Sequence, residues 1–164
     1  MRVVVPIPVL GRFPLLRLTI KRLYEKNKVH KVICVGHEDE LFEICKELDA
    51  EYVYCENSPL GRKWNVGFQA CEAYNPDAVL FAGSSDWIGS DYLSVIEKLI
   101  NDGSDFIGKA GCYFAHVESH VEPVYINQNI KHYGISHYYA SGRSIKIKYW
   151  AGYMDKRIGE PIGI

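Results

Sequence analysis

Short runs of β-branched residues alternate with helix-length amphipathic segments through the first hundred positions of the chain. That alternation leaves few architectures open. Arg2–Ile7 is a Val-rich run suited to a strand buried on both faces. Pro14 follows where a first helical turn tolerates it, and Leu15, Leu16, Ile20 and Leu23 recur at helical spacing, which predicts an amphipathic helix over Pro14–Lys26. Lys31–Val35 reads as a second strand ended by Gly36. Leu41, Phe42, Cys45 and Leu48 form the stripe of a second helix starting near Glu38, where Glu38, Asp39 and Glu40 suit the positive helix end. Tyr52–Cys55 is a third strand, Gly61–Tyr74 a third helix and Ala78–Ala82 a fourth strand. A helix over Asp91–Ile100 turns Tyr92, Leu93, Ile96 and Leu99 inward. Strands separated by helices imply right-handed crossovers, hence an α/β fold with a mostly parallel central sheet and helices on both faces.

After Gly103 the pattern changes. Asp105–Val117, His120–Asn127 and Ser144–Trp150 are rich in aromatic and β-branched residues, with turn signals at Asn127, Gly134 and Ser141-Gly142. They predict antiparallel strands added to the sheet. The 164 residues are read as one domain, with a ligand-binding half over 1–102 and a second half over 103–164. The apolar end Pro161–Ile164 reads as a boundary within a longer chain. The start reads as a buried strand, since no small-residue cleavage site follows Met1-Arg2.

Nineteen basic against twenty acidic side chains, with no long block of either sign, argue against a dedicated nucleic-acid or membrane-surface binder. No run approaches the ~20 apolar residues of a membrane span. The five cysteines, odd in number and set mostly in apolar patterns, read as small hydrophobes in a reducing, cytoplasmic setting.

In parallel sheets ligands bind outside the carboxyl ends of the strands. The loops to watch are therefore Pro8–Phe13, Gly36–Asp39, Glu56–Lys63 and Gly83–Ser90. The strongest chemical signal lies in the last. A buried strand runs through Asp77-Ala-Val-Leu-Phe-Ala82 into Gly83-Ser84-Ser85-Asp86, with Asp91-Tyr92-Leu93 opening a helix. A carboxylate there can hold a divalent cation that neutralises a diphosphate, or it can merely cap a turn.

Asn65-Val-Gly67-Phe-Gln-Ala70, then a strand, then Ser84-Ser-Asp86-Trp-Ile and Asp91-Tyr-Leu93, resembles the family-two glycosyltransferases of the Rossmann-like GT-A fold. Val3–Val5 with the loop through Arg12 resembles that family's nucleotide-binding start, and the resemblance covers Met1 to about Ile100. It implies a glycosyltransferase that moves a sugar from a nucleotide-sugar donor, UDP by family habit, to an acceptor hydroxyl on a glycan, lipid or protein. It further implies that Pro6, Pro8 and Arg12 line base and ribose, and that Gly36 with Glu38 or Asp39 meets the base edge. Lys63 and Asn65 would approach sugar or diphosphate, beside Ser84 and Ser85, and Asp86 would hold Mg²⁺ or Mn²⁺. Where the family carries paired aspartates this chain has Gly83 and Ser85. Cation binding is accordingly expected to be weak and dependent on nucleotide. The general base would come from the acceptor side, where Arg157-Ile-Gly-Glu160 points first to Glu160, then to Asp155 and Glu118.

Two other readings stay open: a non-catalytic nucleotide-sugar or glycan binding module of the same fold, and a nucleotidyltransferase. The latter usually needs a Gly-rich loop and a lysine after strand one, for which Gly11-Arg12 is a poor substitute. A homodimer is a further open expectation. Cys112, His116 and His120 recur at four-residue spacing, yet a half-buried strand explains them as well as zinc does. Tyr125, Tyr133, Tyr138, Tyr139, Tyr149, Trp150 and Tyr153 offer either acceptor stacking or strand packing. No dinucleotide or Walker fingerprint is present.

Overall fold

A computed structural model describes residues 1–104 and, further on, the strand residues 106–107, 111–114, 124–127 and 143–145. The alternation resolves as β1 (Val3–Pro8), α1 (Phe13–Glu25), β2 (Lys31–Gly36), α2 (Asp39–Glu47), β3 (Glu51–Tyr54), α3 (Leu60–Cys71), β4 (Ala78–Phe81) and α4 (Tyr92–Asn101). A 3-10 turn over Glu72–Tyr74 extends α3. Then come β5 (Phe106–Ile107), β6 (Gly111–Phe114), β7 (Val124–Asn127) and β8 (Arg143–Ile145). A six-stranded sheet runs β3-β2-β1-β4-β8-β5. β1, β2, β3 and β4 are parallel, and β8 lies antiparallel between β4 and β5. The expectation that every later strand joins this sheet is corrected: β6 and β7 form a separate two-stranded sheet.

The period-two alternation of β1 divides the core. Val3, Val5 and Ile7 face Leu16, Ile20 and Leu23 of α1 and Leu41, Ile44 and Cys45 of α2. Val4 faces the opposite layer, with Ile33, Val35, Val79 and Phe81 against Phe68 and Cys71 of α3. Helices thus cover both faces, and burial of these apolar side chains is what holds the layers together. The stripe of α2 is phased differently from expectation. Ile44 is buried, whereas Phe42 is 50% exposed and meets Tyr52 edge-on with ring centroids 5.5 Å apart. The four described cysteines Cys34, Cys45, Cys55 and Cys71 are buried and free. Among the described residues no helix is long and apolar enough to cross a membrane.

Candidate functional site

The chain leaves β1 for β2 and β3, then returns to place β4 on the other side of β1. Such a reversal marks where open α/β sheets bind ligands, in a crevice outside the carboxyl ends of the strands, here those of β1 and β4. Its two sides are built from different loops.

The connection from β1 to α1 is only Val9-Leu10-Gly11-Arg12. Gly11 and Arg12 both take left-handed backbone, with φ of 61° and 54°. Glycine does so freely, but for arginine the conformation costs ~1–2 kcal/mol. Such strain persists where surrounding structure enforces it, and it is concentrated at functional sites. Here it carries an exposed guanidinium to 3.5 Å from the Ser85 hydroxyl, across the crevice.

Ser85 belongs to the β4–α4 loop, which is laid along α1. The Thr19 hydroxyl stands 3.4 Å from the carbonyl oxygens of both Ser84 and Asp86. Arg22 Nε donates to the Ile88 carbonyl at 2.6 Å, and its guanidinium lies 4.1 Å above the Trp87 ring. Asn27 Nδ2 donates to the Gly89 carbonyl at 2.6 Å. Within the loop the Gly83 N–H donates to Asp86 Oδ2 at 2.8 Å, and the Asp86 N–H returns to the Gly83 carbonyl at 3.2 Å. Asp86 therefore caps a tight turn at the head of the crevice.

On the other side Lys63 is only 2% exposed. Its Nζ donates to the Val9 carbonyl and to Asn57 Oδ1. Burial lowers the pKa of this ammonium, against the opposing pull of the Glu38 carboxylate. Glu38 in turn sits at the head of α2. Burial would raise its carboxyl, but N–H donors of Glu38 and His37 together with the charges of Lys63 and His37 hold it below the usual carboxylate range. Its Oε1 is buried with no hydrogen-bond partner.

Arg12 thus meets Ser85, and Glu38 stands within electrostatic reach of Lys63. Gly36 is tight for a packing reason: a Cβ there would come 2.5 Å from Leu41 Cδ2 and 2.8 Å from Glu38 Oε2. Pro6 is covered by α3, since a Cβ on Gly67 would come 2.9 Å from Pro6 Cβ. Pro8 is half-buried at the end of β1, and Asn65 is half-buried on α3. Asp39 turns outward into a shallow depression of about 450 Å³ with Glu40, Phe42, Glu43 and Tyr52, beside the edge strand β3. Asp155, Glu160 and Glu118 lie outside the described residues.

Sequence reasoning passed over Thr19, Arg22, Asn27 and Asn57. The signal for the first was present: Thr19 adjoins Leu16, Ile20 and Leu23 on the buried stripe of α1.

A divalent cation finds little here. Among the described residues no three His, Cys, Asp or Glu side chains gather. Asp86 is a single carboxylate with one oxygen already committed to Gly83, and the Arg12 guanidinium lies beside the neighbouring Ser85. Oxygen-rich coordination by several carboxylates and carbonyls is what Mg²⁺ and Mn²⁺ need, so this donor set does not by itself fit one.

No family model and no curated protein matches the chain. Solved structures do. A CMP:2-keto-3-deoxy-manno-octonic acid synthetase complexed with CTP superimposes with a TM-score of 0.62 at 9% identity, over 94% of this chain and 78% of that one. The 4-diphosphocytidyl-2C-methyl-D-erythritol synthase of Anaerococcus prevotii gives 0.58 at 14% identity, over 99% and 78%. S. aureus TarS, residues 1–349, gives 0.59 at 14% identity, over 93% of this chain but 49% of that one. The chain therefore spans about half of the TarS fragment. The chain shares with these structures a Rossmann-like, GT-A-like α/β fold.

Proposed function

We propose that the protein is a transferase acting on a nucleotide-sugar, and that it moves the sugar from a UDP-type donor to an acceptor hydroxyl. The observation that carries the choice is the β1–α1 connection. Four residues with one glycine make too short a loop to wrap a triphosphate, while a strained Arg12 is presented at the switch point. In this reading the planar guanidinium forks onto the diphosphate and steadies the charge that develops as it leaves. Glu38 stands at the base and ribose end. The Ser84 and Ser85 side chains and the Asp86 turn border the sugar. Attack by the acceptor needs a general base, for which Asp155 and Glu160 remain the proposed sources. Mg²⁺ or Mn²⁺ at Asp86 would rely on the nucleotide's own phosphates for most of its ligands, and no step above depends on it.

The likeness to a CTP-complexed synthetase favours a second reading, nucleotidyl transfer. One experiment separates them: calorimetric titration of UDP-sugars and CTP, with and without manganese, followed by assays for released UDP and released pyrophosphate. UDP-sugar binding that weakens at least about tenfold in Arg12→Ala, with UDP release, supports glycosyl transfer. Pyrophosphate release from CTP supports the second reading. Binding without turnover leaves a recognition module, and no binding of either nucleotide overturns all three. Asp86→Asn tests the cation: loss of manganese-dependent binding with an unchanged melting temperature assigns the metal to Asp86. A melting temperature lowered by the equivalent of about 0.5–2 kcal/mol with unchanged binding leaves Asp86 as a turn cap.

A further inference from the structure

We propose that Lys63 is a positioning residue for the candidate site, a buried strut that fixes the connections after β1 and β3 relative to one another, and not a cation that touches the ligand. The proposal deepens the nucleotide reading above and rests on it only for its affinity readout.

A lysine is almost never buried without a partner, because its ammonium loses hydration that only good hydrogen bonds replace. Lys63 lies on the packed stripe of α3 with Gly67, Phe68 and Cys71, and it reaches through the helix–sheet layer to the carboxyl edge. There its amine donates to the carbonyl of Val9, the first residue after β1, and to the side chain of Asn57, in the connection from β3 to α3. The carboxylate of Glu38, in the connection after β2, acts on the same ammonium through its charge, from beyond ion-pair distance. Val9 is held from its other side too, its N–H donating to the Val35 carbonyl at 2.8 Å. The peptide that leads into Leu10, Gly11 and Arg12 is thereby clamped on both sides. Two of the three ammonium N–H donors are thus committed to acceptors that the protein itself supplies.

The test is hydrogen exchange on the intact chain, with Lys63→Met and Asn57→Ala beside the wild type, together with UDP titrations at several NaCl concentrations. Methionine keeps the aliphatic stem and removes the amine. The expected result is that the hydrogen-bonded amides flanking the two connections, Val9 and Leu16 on one and Cys55 and Arg62 on the other, exchange at least about tenfold faster in Lys63→Met while amides 32–35 of β2 stay protected, the size expected for losing hydrogen bonds to a charged donor. Asn57→Ala shows the same two segments loosened to a smaller degree, and it decides the matter if Lys63→Met does not fold. UDP affinity falls with its salt dependence unchanged, because no ligand-contacting charge has been removed. A shallower salt dependence with unchanged exchange overturns the proposal and makes Lys63 a ligand cation. Loosening of only one segment, or equal loosening of β2, overturns it as well. Should the wild type bind no UDP, the nucleotide reading falls while the exchange pattern still decides the role of Lys63.

Discussion

On the β1–β2–β3 side of the crevice the connections after β1 and β3 converge on one buried ammonium, whereas on the β4 side a single long loop is laid along α1 and tied at successive backbone carbonyls by Thr19, Arg22 and Asn27. The first arrangement is a keystone: its contacts share one group, so removing that group releases them together and double mutants should be strongly non-additive. The second is a row of separate ties whose losses should nearly add. It also draws its donors from α1 and the turn that follows it, so the loop carrying Ser84, Ser85 and Asp86 is tied to that one helical unit. A site assembled this way has one side sensitive to charge and the other sensitive mainly to shape.

The largest effect that breaks the comparison should come from Gly67. Gly67→Val drives a branched side chain into Pro6 and Val35, where even a Cβ would lie 2.9 Å and 3.1 Å away. A loss of about 3 kcal/mol is expected in the urea midpoint. The exchange damage should centre on the β1–β3 side, because α3 carries Lys63. Next is Arg22→Ala, which removes both the Ile88 tie and the Trp87 contact. Its expected cost is about 1.5–3 kcal/mol, with faster exchange confined to residues 84–90.

An intermediate effect should follow pH. Glu38 is held below its ordinary pKa in the folded state, first against burial and then by the N–H donors and positive charges around it. Its contribution is complete above the unfolded value of 4.5 and is lost as pH falls through the lower folded value. Thermal melts of Glu38→Gln should therefore lose part of the wild type's acid slope below pH 4.5. Lys63 acts in the alkaline window with the opposite sense: its folded pKa lies below 10.5, so stability should rise with pH between the two values, and Lys63→Met should flatten that rise. No comparable slope is expected from the neutral Thr19 and Asn27 ties. Thr19→Val should cost about 1 kcal/mol, the net worth of a hydroxyl shared between two carbonyls. The smallest change is expected from Trp87→Ala, since a ring 66% exposed offers Arg22 only about 0.5–1 kcal/mol.

Much of the fold could be read directly because its signals are local. The helical spacing of Leu16, Ile20 and Leu23 and the unbroken apolar run of β1 needed no tertiary context. The shared edge at which the loops after β1, β2, β3 and β4 emerge was legible for the same reason, since parallel strands send their exits to one side. What could not be read were the side-chain destinations. A lysine among loop-proximal residues looks like a ligand group, and only its place four residues before Gly67 and eight before Cys71, on one helix face, hinted at burial. The Asn65-Val-Gly67 segment carried a family likeness, yet at Gly67 the structural demand is close approach to Pro6. Phe42 was placed on the stripe with Leu41 and Cys45, but the buried face of α2 is completed by Ile44, one position before Cys45. Beyond residue 104 the strand-forming composition was visible and the partners were not, since pairing of β8 with β4 joins segments far apart in sequence.

That distant pairing bears on how the chain comes off the ribosome. Val79, Leu80 and Phe81 of β4 pair with Ile145, Ser144 and Arg143, while the parallel neighbours on the other side of β4 have been made long before. At translation rates of ~5–20 residues per second, the roughly 60 intervening residues take about 3–12 s to emerge. For that interval a nearly complete α/β layer displays a row of unanswered backbone donors and acceptors along a buried, wholly apolar strand. Nascent chains stalled before residue 143 should thus be the most prone to clump, and the first to recruit a chaperone. Stalling only after β8 has cleared the ribosome should abolish both behaviours.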